Sequence, residues 1–190
     1  MILSFLLKVS LIAQVDYGEI YVQDESLRTL PRIALHTGYA FDLDDSFNEL
    51  HSLTLQAQVR VWKYISTGVL YQHVFAQLSD AGKELEALEP SLDVSIPQQT
   101  WGLFSLTQFQ LINGEWNIMN SFPLRAELLI GGGLGMLRER KDIRGSEQNM
   151  ISYLWSAEQR FSFYDHYGVF LHFFGQRSAH FLATGLSLKF

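Results

Sequence analysis

The sequence predicts an all-β protein, an eight-stranded antiparallel up-and-down transmembrane β-barrel. Three observations lead there. Segments of about ten residues carry an apolar residue at every second position, prolines fall only in the breaks between them, and aromatic residues gather at their ends.

The first segment, Arg32 to Phe41, places Ile33, Leu35, Thr37, Tyr39 and Phe41 on one face. The second, His51 to Trp62, alternates most cleanly, with Leu53, Leu55, Ala57, Val59 and Val61 opposite Thr54, Gln56, Gln58 and Arg60. A slip of one residue would invert both faces, so alternation this regular specifies a two-sided strand. The third (Ile65 to Gln77) and fourth (Thr100 to Leu111) follow the rhythm, although Leu70, Val74, Phe104 and Leu106 put apolar side chains on the otherwise polar face. In the fifth, Leu124 to Leu137, Ala126, Leu128, Ile130, Leu134 and Met136 oppose Arg125, Glu127, Gly131, Gly133 and Gly135. The sixth (Met150 to Phe161), seventh (Tyr167 to Gln176) and eighth (Ala179 to Phe190) complete an even count, which returns both termini to one end.

Pro31, Pro90, Pro97 and Pro123 all lie between segments. Proline cannot donate a ladder hydrogen bond, so this agreement is independent of the hydrophobic pattern. The breaks Asp42 to Leu50, Leu78 to Gln99 and Arg138 to Asn149 are polar and read as outer loops. Lys63-Tyr64 and Ser162 to His166 read as short periplasmic turns, and Ile112 to Pro123 as a long turn on that same side.

Composition narrows the alternatives. The 190 residues carry a net charge of −6 with no dense basic stripe, which argues against nucleic acid as a partner. Although 47% of residues are hydrophobic, the apolar runs are too short for a spanning helix of about 20 residues. Cysteine is absent, which excludes disulfides, thiolate metal sites, a cysteine nucleophile and a lipoprotein anchor. Met1 to Ala13 reads as a signal peptide, 14–31 as a periplasmic segment or an added strand, and 32–190 as the barrel.

A soluble sandwich would show the same alternation, so the charged face and the aromatics decide. Arg60, Arg125, Glu127, Glu158 and Arg160, with Lys189 on the same face, are expected to point inward, the first five as an ion-pair network. An eight-stranded lumen is just wide enough for side chains to fill, so no open pore is expected. Trp62, Tyr64, Trp116, Phe161, Phe163, Tyr164 and Tyr167 read as interfacial girdle residues. The last segment, HFLATGLSLKF, resembles the C-terminal signal of outer-membrane barrels, carried here by Leu182, Leu186, Leu188 and Phe190.

The stretch INGEWNIMNSFPLRAELLIGGGLG (Ile112 to Gly135), with EIYVQ at Glu19 to Gln23 and TGYAFDLDDSF at Thr37 to Phe47, resembles an outer-membrane β-barrel family best known from myxobacteria and related predatory bacteria. In that likeness the Ile112 stretch reads as a Gly-acidic/basic-aromatic turn, an Asn-containing link and a strand ending in glycines, with Glu115 where a basic residue is expected. The resemblance implies an envelope barrel and no particular chemistry.

The expected function is a structural or interaction barrel of the bacterial outer membrane, presenting Leu78 to Gln99 outside and Ile112 to Pro123 inside. Its expected partners are outer-membrane lipid, the barrel assembly machinery during insertion and envelope proteins. No catalytic residue, cofactor or metal site is assigned. Two alternatives stand beside it: a lipid-modifying enzyme using His36, His172, Ser178 or His180, and a soluble lipocalin-like ligand-binding barrel.

Overall fold

A computed structural model describes residues 33–44, 48–88, 98–118, 122–140, 147–163, 166–177 and 179–190. The signal-peptide and N-terminal-segment expectations, on 1–13 and 14–31, lie outside the described residues. The strands are β1 (Ile33–Asp42), β2 (Asn48–Trp62), β3 (Ile65–Leu78), β4 (Gln98–Ile118), β5 (Phe122–Arg140), β6 (Glu147–Phe163), β7 (Tyr167–Gln176) and β8 (Ala179–Lys189). Each pairs antiparallel with the next, and β8 returns to β1 with Thr37 opposite Leu186, so the sheet is a closed eight-stranded barrel.

One end, the terminal end, carries Ile33, Phe190 and the turn at Lys63-Tyr64; the other is the loop end. Alternation sets the facing of every strand. On β2, Ser52, Thr54, Gln56 and Gln58 are buried in the lumen while Leu53, Leu55 and Val59 are exposed outside. The same holds on β8, where Leu186, Leu188 and Phe190 are exposed and Ser187 and Lys189 buried.

Two expectations about the breaks are corrected. The stretch Leu78 to Gln99 holds a helix, α1 (Asp80–Leu88), with an acidic residue in its first turn, a Lys83–Asp80 ion pair at 3.0 Å and Pro90 just beyond its end. Ala, Lys, Glu and Leu are strong helix formers, which the reading of a polar loop passed over. The stretch Ile112 to Pro123 is not a long turn. Its NGEW motif lies within β4, paired with β5 down to Ile118 opposite Phe122, which leaves only 119–121 between the strands, and Pro123, expected in a break, is the second residue of β5, opposite Asn117.

The four apolar residues that blurred the pattern have a single explanation. All four are buried on the inward register, and Leu70, Phe104 and Leu106 join Leu137, Leu154, Phe170, Phe174 and Phe181 in the lumen. The barrel therefore encloses an apolar cluster as well as charges, with Phe174 and Phe181 stacked at 5.3 Å between ring centroids.

Glycines let β5 curve tightly against β4. A Cβ on Gly133 would run into the Ser105 carbonyl, and one on Gly131 into the Thr107 carbonyl. Gly133→Val is expected to destabilise the barrel by about 1–3 kcal/mol, the usual range for overpacking. Loss of the fast-migrating unheated form on a gel, with Leu134→Val unaffected as a neighbour control, checks this.

Candidate functional site

The polar side chains enclosed by the barrel form two carboxylate-centred clusters. Glu127 on β5 receives Lys189 Nζ at 2.6 Å, Arg60 Nη2 at 3.2 Å and Arg125 Nε at 3.4 Å. Arg125 Nε also donates to Asn113 Oδ1 at 2.9 Å. Glu158 on β6 is gripped by Arg160, whose Nε and Nη2 donate to its two oxygens at 2.6 and 3.0 Å.

Glutamines join Glu158 to the opposite wall. Arg160 Nη2 donates to Gln58 Oε1 at 2.6 Å and to Gln108 Oε1 at 3.0 Å, and Gln108 Nε2 returns to Glu158 at 2.9 Å. Glu158 and Arg160 are 0% and 3% exposed, so they are paired in a low-dielectric interior, where a lost partner is costly. Nearer the loop end, Gln176 Nε2 donates to Gln72 and Gln99 at 3.0 and 3.1 Å, and Gln72 Nε2 donates to Ser52 Oγ at 3.0 Å.

All five residues expected as a lumen network are thus enclosed, but they divide between two centres. Sequence reasoning placed Lys189 on the right face without giving it a carboxylate, and missed the glutamines as the connecting groups. The signal was present, because Gln56, Gln58, Gln72 and Gln108 all fall on the inward register. A crevice of about 10 Å³ beside Arg60, Arg160 and Lys189 has room for one water.

The outward surface is apolar between the strand ends. Ile33 to Phe41 on β1, Leu53 to Val61 on β2 and Leu182 to Phe190 on β8 each give a nine-residue stretch without an outward charge. At about 3.3 Å per residue and a tilt near 40°, nine residues rise roughly 23 Å, close to the apolar band of an outer-membrane barrel. Two outward hydroxyls bond to the backbone of a neighbouring strand. Ser105 Oγ donates to the Leu134 carbonyl at 2.8 Å and Thr184 Oγ1 to the Phe170 carbonyl at 3.1 Å.

Of the expected girdle residues, Trp62, Tyr64 and Tyr167 are exposed, Phe161 and Phe163 partly exposed, and all five lie at the terminal end. Trp116 pairs through its backbone with Leu124, its side chain lying outside what is described, as does the whole of Tyr164. A second set was missed at the loop end, where Phe41, Phe75, Tyr153, Trp155 and Phe173 face outward. Phe75, Tyr153, Trp155 and Phe173 sit inside strands rather than at segment ends, which hid them, whereas Phe41 ends the first segment and was counted only as part of its apolar face.

The histidines separate. His36 and His172 are buried in the lumen, whereas His180 faces outward at the loop rim. Asp44, from the connection after β1, accepts from the His180 backbone N–H at 2.9 Å and lies 3.0 Å from Nδ1. Trp155 flanks the imidazole at 5.7 Å between centroids, lying over Gly175. Sequence spacing gave His180 no orienting carboxylate; closure of β8 on β1 supplies one. Ser178 lies outside the described residues.

No family model matches the chain, and no curated protein does. Among solved structures, a designed transmembrane β-barrel from work on the de novo design of such barrels is similar at 11% identity, covering 86% of this chain and 98% of its own, with a TM-score of 0.45. Ail, the attachment invasion locus protein of Yersinia pestis, crystallised with the heparin analogue sucrose octasulfate, is similar at 12% identity. That likeness covers 85% of this chain and 99% of Ail, with a TM-score of 0.40. The narrower resemblance to the myxobacterial family finds no matching family model.

Glu158→Ala strands the Arg160 guanidinium in the lumen and is expected to cost about 3–5 kcal/mol. Adding Arg160→Met should recover most of that loss. Urea unfolding of both variants and of Arg160→Met alone closes the double-mutant cycle.

Proposed function

We propose that the protein is a bacterial outer-membrane barrel with a structural or interaction role in the envelope and no open pore. The observation that carries this reading is the inverted distribution of polarity. Outward positions such as Leu55, Val59, Leu134 and Leu186 are 46–65% exposed, while Glu127, Glu158 and Arg160 are 0–3% exposed. A water-soluble barrel of the lipocalin kind hides its apolar face inside, so the outward belt favours lipid as the surrounding medium. The inward clusters and the apolar layer leave little room for permeation. The alternating pattern of Leu182, Leu186, Leu188 and Phe190 on the last strand fits delivery by the barrel assembly machinery, and the loop-end segment with α1 is the surface for envelope partners.

The test is partition and conductance. The refolded chain should enter lipid vesicles, migrate faster unheated than heated, and give no steady single-channel current in a planar bilayer. Leu55→Arg, at mid-belt, should cost about 2–4 kcal/mol in vesicles, the depth-dependent penalty of a lipid-facing arginine. Stable, monomeric solubility without detergent would overturn the membrane reading, and steady current the closed one.

A second reading has one observation behind it. The Asp44–His180 pair beside Trp155 lies at the loop rim, the level expected for outer-leaflet headgroups. A carboxylate on Nδ1 orients imidazole for base catalysis through Nε2, as ester hydrolysis of a lipid requires. Release of fatty acid from outer-membrane lipid by the wild type, abolished in both His180→Ala and Asp44→Asn, would support it. Equal rates in all three would remove it.

A further inference from the structure

We propose that the terminal mouth of the lumen binds one small inorganic anion, of halide size, between Arg60, Arg160 and Lys189. The inference rests on the closed barrel and its enclosed charges, and not on the medium that surrounds the wall.

The charges at this end do not balance. Among the described residues, Arg60, Arg125, Arg160 and Lys189 share the terminal half of the lumen with Glu127 and Glu158. Even with Glu115, which stands opposite Arg125 on β4, four cationic side chains meet three carboxylates. The nearby imidazole cannot supply the missing negative charge. His36 Nδ1 lies 3.7 Å from Glu158, and a proton there would only add to the excess. An enclosed charge without a counter-charge is costly, so the excess calls for an anion.

One donor is also left over. Arg60 Nη2 donates to Glu127 at 3.2 Å, but its Nη1 is buried and has no hydrogen-bond partner among the described residues. A buried N–H in that state forfeits the bond it makes in water.

The crevice beside these groups supplies the place. Arg60, Arg160, Lys189 and Ser66 surround a space about the size of one water, with Ala34 on its wall, and no carboxylate lines it. Gln58, the one amide there, has its oxygen taken by Arg160 and its nitrogen by Gln108. The remaining polar groups can all donate: guanidinium and ammonium N–H, and the Ser66 hydroxyl. A water would satisfy Nη1 and leave the charge excess in place; an anion removes both. The space fits a single-atom anion and is too small for phosphate or sulfate. It lies where β1 begins and β8 ends, so an ion enters from the terminal side without crossing the apolar cluster. The whole chain carries a charge of −6, so diffuse attraction works against any anion and saturable binding reports a built site.

The full chain, refolded in detergent micelles, is titrated with chloride against gluconate at constant ionic strength. The readouts are the chloride NMR linewidth and the urea midpoint. The wild type should give a saturable excess linewidth and a midpoint that rises with chloride. Both effects should fall at least several-fold in Arg60→Gln, and equally in Ala34→Leu, which fills the crevice opposite Lys189 and Gln58 with every charge retained. Heat-modifiable migration of each variant reports the barrel separately. No chloride effect in either measurement, or one that survives undiminished in either variant, would overturn the proposal and leave the outer-membrane reading untouched.

Discussion

The structure depends on closure of β8 on β1, which pairs the two strands that would otherwise stand as free edges of the sheet. An open eight-stranded sheet would leave two rows of unpaired amides, one along each edge. Closure then forces the rest. The curvature it demands leaves no space for side chains where β5 presses on β4, and glycine occupies those positions. It also fixes which side chains share the interior, and brings the connection after β1 against the start of β8.

The interior is divided by chemistry along its length. Carboxylate-centred clusters occupy the terminal half, and phenylalanine and leucine fill towards the loop end below a knot of glutamines. Enclosed ion pairs contribute little net stability against an apolar filling of equal volume, but they penalise wrong pairings severely. A one-residue shift of β6 would deliver Glu158 and Arg160 to the outer surface. The network therefore acts on register, and the apolar cluster supplies the close packing.

Most of this was legible in the sequence. Period-two alternation located all eight strands because it is a local effect; the prolines were a weaker guide, since Pro123 lies near the start of β5 rather than between strands. What escaped detection was non-local. Leu70 and Phe104 look misplaced when a strand is read alone, and only the facing wall shows that they pack with Leu137 and Phe174. Asp44 is far from His180 in sequence, and only closure makes them neighbours. The NGEW motif resembles a turn by composition, yet pairing with β5 carries it on as strand. Helix α1 was hidden by its polarity, since a nine-residue helix beside a loop has little apolar face to betray it.

Lys189 has a consequence for how the wall shuts. Lys189 reaches across the interior to Glu127, and Phe190 exchanges backbone bonds with Ile33. Two adjacent residues therefore complete both the ion pairing of Glu127 and the seam of the wall. Zipping the seam and neutralising the enclosed carboxylate are thus one event, completed only when β8 docks on β1.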